Sequence, residues 1–217
     1  MLAIYKREMR SYFTGAIGYV FLVIFLAVAG VAFAYTTLFS MTSDLTSYYT
    51  LMLLFSAIVL PILTMKSFSE EKKTKTEQLL LTSPITVSGM VFAKFFAAFT
   101  LFAGTIIASG INFFPLYVYA NEERAAQEYS VMHIGPSTAQ IIGCTIGVVL
   151  IGACFIAIGM FISSLTENQL AAAIITVAII VAMILLSMVN NYIENYTVRF
   201  IISWFGIMTR FSYFSAG

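Results

Sequence analysis

The residues able to do chemistry in this chain are concentrated in one stretch. The run SFSEEKKTKTEQLLLTSPIT, residues 67–86, holds Glu70, Glu71, Lys72, Lys73, Lys75 and Glu77, with Thr74, Thr76 and Gln78 among them and Leu79, Leu80 and Leu81 behind them. Interleaved carboxylates and ammonium groups beside a leucine triplet suit contact with a soluble partner protein. Elsewhere the reactive inventory is thin. His133 is the one histidine, in a loop beside Gly135 and Pro136, where a solvated side chain is expected. Glu122, Glu123 and Glu128 lie in the same polar stretch and suit a solvated surface better than a cation site. Cys144 and Cys154 are ten residues apart in an apolar run, on different faces of a helix, and read as small hydrophobes rather than metal ligands or a disulfide. No nucleophile or acid–base constellation is legible, so no enzyme activity is expected of this chain. The phosphate loop G-x-x-x-x-G-K-[ST] does not occur, and ATP is not expected to bind here.

The elements that must position the charged run are greasy. Of 217 residues, 60% are hydrophobic and only 10% charged, against roughly 25% charged in soluble domains. Lipid is the solvent this composition asks for. The net charge of +1 gives no reason to expect nucleic acid. A bilayer-spanning helix needs about 20 apolar residues, and five runs qualify: 16–39, 48–65, 85–119, 137–163 and 170–189. The second contains Pro61, and the third contains Lys94 near its start. The fold expected is a single all-α integral membrane domain over residues 1–217. The first apolar run is too long for the core of a cleavable signal, so it is expected to stay as a span.

Orientation follows from basic residues, which favour the cytoplasmic side. With the N-terminus inside, Lys6, Arg7, Arg10, Lys66, Lys72, Lys73, Lys75 and a snorkelling Lys94 fall on the inner face, leaving Arg124, Arg199 and Arg210 outside. The charged run and the SSLTENQ turn with Glu167 are then cytoplasmic. In residues 1–13, Leu2, Tyr5, Met9 and Tyr12 recur at helical spacing, with Lys6, Arg7 and Arg10 on the other side. That is the pattern of a helix lying in the membrane interface; a plain basic flank is the alternative.

Within the charged run, Thr74 stands three residues before Glu77 and just ahead of the leucines, a capping-box pattern. Pro84 disfavours helix at Ser83 and suits the first turn of the next helix. A short helix over 75–82 is therefore predicted, with a solvated loop as the alternative. In the fourth run, Gly143 and Gly147 form a G-x-x-x-G step that lets helices approach closely in lipid, between spans or between chains. The spans hold no ionisable residue except Lys94, so no proton relay is apparent and the driving force must come from elsewhere.

The run LPILTMKSFSEEKKTKTEQLLLTSPIT resembles the signature of type-2 ABC transporter permeases, matching it at Pro61, Thr64, Met65, Glu70, Glu71, Thr76, Glu77, Leu79, Leu80 and Pro84. Lys66 stands where arginine is frequent and Lys75 where glycine is frequent. The opening YKREMRSYFTGAIGYVF and the tail RFSYFSAG are similar to the gliding-motility-type branch. The resemblance implies a coupling helix after span two, over residues 70–81, that docks on an ATP-binding cassette subunit, and an interfacial helix with Tyr5, Lys6, Arg7, Met9 and Arg10 that touches the same subunit. It implies ATP and magnesium on that partner and none in this chain, a second permease chain, identical or related, and a bacterial inner-membrane location. It also implies six spans, with a re-entrant outer segment over 190–217 and a sixth span expected to follow. The function expected is the permease subunit of an ATP-driven exporter. The alternative is a membrane scaffold that recruits a cytoplasmic partner and moves nothing.

Overall fold

The computed structural model describes residues 2–40, 44–75, 86–118, 137–190 and 196–215. Among them the chain is helical, with no strand. An apolar run in lipid must satisfy its backbone groups internally, and the α-helix does so within one segment. Helix α1 (Leu2–Thr14) precedes α2 (Ala16–Phe33), which a π-turn extends over Ala34–Leu38. Next come α3 (Thr46–Thr64) and α4 (Lys66–Lys73), separated by Met65 alone. Helix α5 (Val87–Ser109) continues through a 3-10 turn at Gly110–Phe113. Helices α6 (Thr138–Leu165), α7 (Gln169–Val189), α8 (Tyr196–Phe205) and α9 (Ile207–Ser215) complete the described chain.

Among the described residues, five stretches are long and apolar enough to cross a membrane: Ala16–Leu38, Thr46–Lys73, Val87–Val118, Thr138–Leu165 and Gln169–Val189. The second runs past its expected end at 65, because the first half of the charged run is helix α4 rather than a loop. The bundle wraps around α6, which packs most extensively on α3 and also touches α4, α5, α7 and α9. Phe25, Tyr48, Leu53, Phe102, Phe155 and Ile180 form the buried core. Val23, Val31, Phe92, Ile107, Phe161 and Ile174 are exposed on the outside, as befits helices whose solvent is acyl chain. The α6–α7 turn is short because Asn168 caps α7, its side chain accepting from the Leu170 N–H at 3.0 Å.

Helix α1 packs on α5 and folds back against α2. Ile4 is its buried residue, set against Met90 and Ala93, while Leu2 stays 68% exposed. Of the expected Leu2–Tyr5–Met9–Tyr12 stripe, Tyr5, Met9 and Tyr12 are half-buried, Tyr12 against the main core, and Leu2 alone is exposed; Ile4 and Glu8 also face the protein. At the far end of the chain, α8 and α9 are joined at Gly206 and pack back onto α7 and α6. Ser187 of α7 accepts a hydrogen bond from the Met208 N–H at 3.1 Å, holding the first turn of α9 on the bundle.

Candidate functional site where α1, α4 and α5 meet

Three elements meet where α4 leaves α3, and the joint explains the rest of the site. Pro61 lies in the last turn of α3 and has no N–H to give the helical ladder. One turn later the ladder is interrupted by a side chain from another span. The Ser163 hydroxyl of α6 accepts from the N–H groups of Phe68 and Ser69, both at 3.1 Å, and donates to the Met65 carbonyl at 3.0 Å. It satisfies donors that the start of α4 would otherwise leave open and fixes the joint by insertion into the ladder. Ser163 is fully buried, so water cannot replace it. One turn before Ser163, a Cβ on Gly159 would sit 2.2 Å from Thr64 Oγ1. Glycine there lets α6 approach the joint closely enough for the serine to reach.

Helix α4 then presents Glu71 to the bundle. Lys94 of α5 is 3% exposed, and its Nζ lies 2.8 Å from Glu71 Oε1 and 3.6 Å from Glu8 Oε1 of α1. The same ammonium donates to the Ser67 carbonyl and lies 5.0 Å from the centre of the Phe68 ring. Arg7 closes the network, 2.9 Å from Glu8 and 3.3 Å from Glu71. Two cations and two carboxylates cancel, and they tie α1, α4 and α5 together at one level. The weights differ. Arg7 is half exposed, and a pair of that kind contributes about 0–1 kcal/mol. The buried Lys94 is the member whose partners matter, since an unpaired buried ammonium costs several kcal/mol. Lys94 does not snorkel as expected, because α1 and α4 bring two carboxylates and a carbonyl to it. The hydrogen bond to Glu8 raises the Arg7 guanidinium further above its ordinary range, so the network keeps that cation at any relevant pH.

The family comparison bears directly on this joint. The chain matches the family model described as ABC-2 family transporter protein over residues 31–215. It belongs to the ABC-2 family of transporter proteins. As such it is a multi-pass membrane component of an ABC transporter, with the permease role. No curated protein and no solved structure matches the chain. The matched segment takes in α3 through α9 and begins inside α2, so the contribution of α1 rests on the structure.

The ABC-2 chain places the expected docking residues unequally. Glu70, Lys73, Thr74 and Lys75 are exposed toward and just past the C-terminal end of α4, Glu71 turns toward the bundle and Lys72 is half-buried. Thr74 ends α4, its hydroxyl donating to the Glu70 carbonyl at 2.8 Å. Lys75 takes a left-handed φ of 56°, the backbone that glycine adopts at no steric cost; the turn keeps that geometry with lysine in it. Thr76, Glu77, Gln78, Leu79, Leu80 and Leu81, and with them the helix predicted over 75–82, lie outside the described residues. Of the α1 set, the Tyr5 hydroxyl donates to Thr100 Oγ1 of α5 at 3.2 Å, Arg7 joins the network, Met9 is half-buried, and Lys6 and Arg10 are exposed. Lys73 also borders a shallow cleft with Glu167, Asn168 and Gln169 of the α6–α7 turn, so both predicted inner segments share one face.

Gly143 and Gly147 lie at the other end of α6, against α9. A Cβ on Gly143 would stand 2.7 Å from the Phe214 carbonyl oxygen, and one on Gly147 would stand 2.9 Å from the Phe214 Cβ. The step therefore packs helices within the chain. Sequence reasoning missed Glu8 and Ser163. For Glu8 a signal existed: a lone lysine inside an apolar run needs counter-charges, and Glu8 lies one helical turn from Ile4. For Ser163 no local signal exists.

Proposed function

We propose that this chain is the permease subunit of an ATP-driven exporter and that the inner end of α4 receives the motion of a separate ATP-binding subunit. The observation that carries this reading is the buried Lys94, held at once by Glu71 of α4 and Glu8 of α1. A displacement of the segment after α4 would pass through Glu71 to α5 and through Ser163 to α6. Glu70, Lys73, Thr74 and Lys75, with the 76–81 run beyond them, supply the polar docking face, and Lys6 and Arg10 of α1 are exposed for contact with the same subunit. Two permease chains, identical or related, would form the pathway, with ATP and magnesium held by the partner. Eight of the eleven basic residues fall on one side, which supports a cytoplasmic N-terminus in a bacterial inner membrane. The opening and closing runs support the gliding-motility-type branch.

The test is co-purification with the ATP-binding subunit in mild detergent. Glu70→Lys combined with Lys73→Glu inverts two exposed charges that no described contact needs. Like-charge juxtaposition across an interface costs several kcal/mol, so recovery of the partner should fall about tenfold or more, with the melting temperature of the permease unchanged. Full recovery of the partner, with ATPase activity indifferent to the variant, would remove the docking role and leave a scaffold.

A further inference from the structure

On the bilayer side of the same joint lies a groove that the coupling reading does not use. It has a volume of about 570 Å³ and runs between α4, the first turns of α5 and the last turns of α6. Phe68, Phe92, Phe95, Met160 and Phe161 line it, and among the described residues Lys72 is its one charged residue. Its inner end is marked by Val87 and Ser164 and its deep end by Phe95 and Ala157. At 1.5 Å per residue, the stretch from Val87 to Phe95 spans about 12 Å. Half of a hydrocarbon core is about 15 Å. The groove therefore extends from the level of the headgroups through most of one leaflet.

The charge at its mouth is uncommitted. Arg7, Glu8, Glu71 and Lys94 neutralise one another, and among the described residues no carboxylate lies within ion-pair distance of Lys72. An apolar slot one leaflet deep, with a single ammonium at its polar end, has the chemistry of a site for one lipid. Its acyl chain lies against the aromatic rings and its phosphate meets the lysine. Basic pockets between spans on the cytoplasmic side recognise anionic headgroups in this way.

We infer that an anionic phospholipid of the inner leaflet occupies this groove, its headgroup on Lys72 and a chain between α5 and α6. The lipid would pack against the Phe68 ring whose centre lies 5.0 Å from the Lys94 ammonium. Occupancy thereby supports the residue that holds the coupling network, and the lipid acts as a structural ligand of the inner joint rather than as cargo.

Native mass spectrometry of the full-length chain with its partner subunit, released from vesicles of equal parts phosphatidylglycerol and phosphatidylcholine, tests the site. One lysine near an anionic surface favours the charged lipid by roughly fivefold. The wild-type chain should retain phosphatidylglycerol with about that preference. Lys72→Gln should abolish the preference, Lys66→Gln, at a lysine that does not line the groove, should leave it, and Val91→Trp, which fills the groove, should reduce bound lipid of both kinds. Unchanged adducts in Lys72→Gln or Val91→Trp would overturn the assignment. Should those variants not be recovered, a photoactivatable phosphatidylglycerol on the wild-type chain decides. Labelling of residues 87–95 and 157–164 supports the site. Labelling confined to other segments, as expected if leucines 79–81 or a second copy fill the groove, refutes it.

Discussion

Lys94 sets the residue scale. A lysine two turns into a membrane helix has two ways to avoid stranding its charge in hydrocarbon: it can extend to the interface or it can be met by counter-charges. Here it is met, by Glu71 at 2.8 Å and Glu8 at 3.6 Å. The two arrangements predict opposite outcomes for Lys94→Met. Removing a snorkelling cation would be neutral or stabilising. Removing one member of a buried pair leaves carboxylates without their partner and costs about 3–5 kcal/mol. The expected loss lies near the lower end, since Arg7 still faces both carboxylates. Adding Glu71→Gln to Lys94→Met should recover part of it, the non-additivity that contacting residues show. Thermal melting of the purified chain in detergent reads both variants, and a Lys94→Met chain that melts with the wild type would show that the pair carries no stability. From sequence, the lysine was visible as an anomaly, and with it the need for counter-charges; that Glu8 and Glu71 supply them was not. Glu8 and Glu71 are distant in the chain, and only packing of α1 on α5 makes them neighbours.

At the scale of elements, the α3–α4 joint is the feature that local reasoning described least well. Pro61 and the charge change after Met65 argue for a helix that ends there. Instead the helix restarts at once, because its first free donors find an acceptor in Ser163 of α6. Capping by a residue 95 positions away leaves no mark on the sequence near the joint. The joint should therefore depend on that hydroxyl. Ser163→Ala takes the buried acceptor from the Phe68 and Ser69 N–H groups, at about 1–3 kcal/mol, while the Met65 carbonyl keeps the Ser69 hydroxyl as a donor. Amide exchange at Phe68 and Ser69 should accelerate while exchange in the middle of α3 does not. Equal protection of those two amides in wild type and variant would mean that the hydroxyl is a bystander and that the helix closes its own ladder across Met65.

For the whole molecule, the spans were legible because length and apolarity are summed over some 20 residues and tolerate local irregularities. The segment after span five was not legible in this way, since α8 and α9 are short and their burial is settled by what they meet; the re-entrant segment expected over 190–217 came from the family resemblance. Phe211 is buried against the bundle, and Phe214 crosses the Gly143–Gly147 step on α6. That crossing gives the glycine step one role out of the two open to it. If it serves packing within the chain, a side chain at Gly143 collides with a backbone carbonyl, which cannot rotate aside as a ring can. Gly143→Val should then push α9 off α6, at a cost of about 1–3 kcal/mol for overpacking. Its signature is lost hydrogen-exchange protection over residues 207–215, with α3 and α5 unaffected and the oligomeric state in detergent unchanged. A step that serves contact between two chains would give the reverse: protection of α9 kept and the oligomer lost. The first pattern is expected, because the volume that a Cβ would claim is already filled by Phe214 of the same chain.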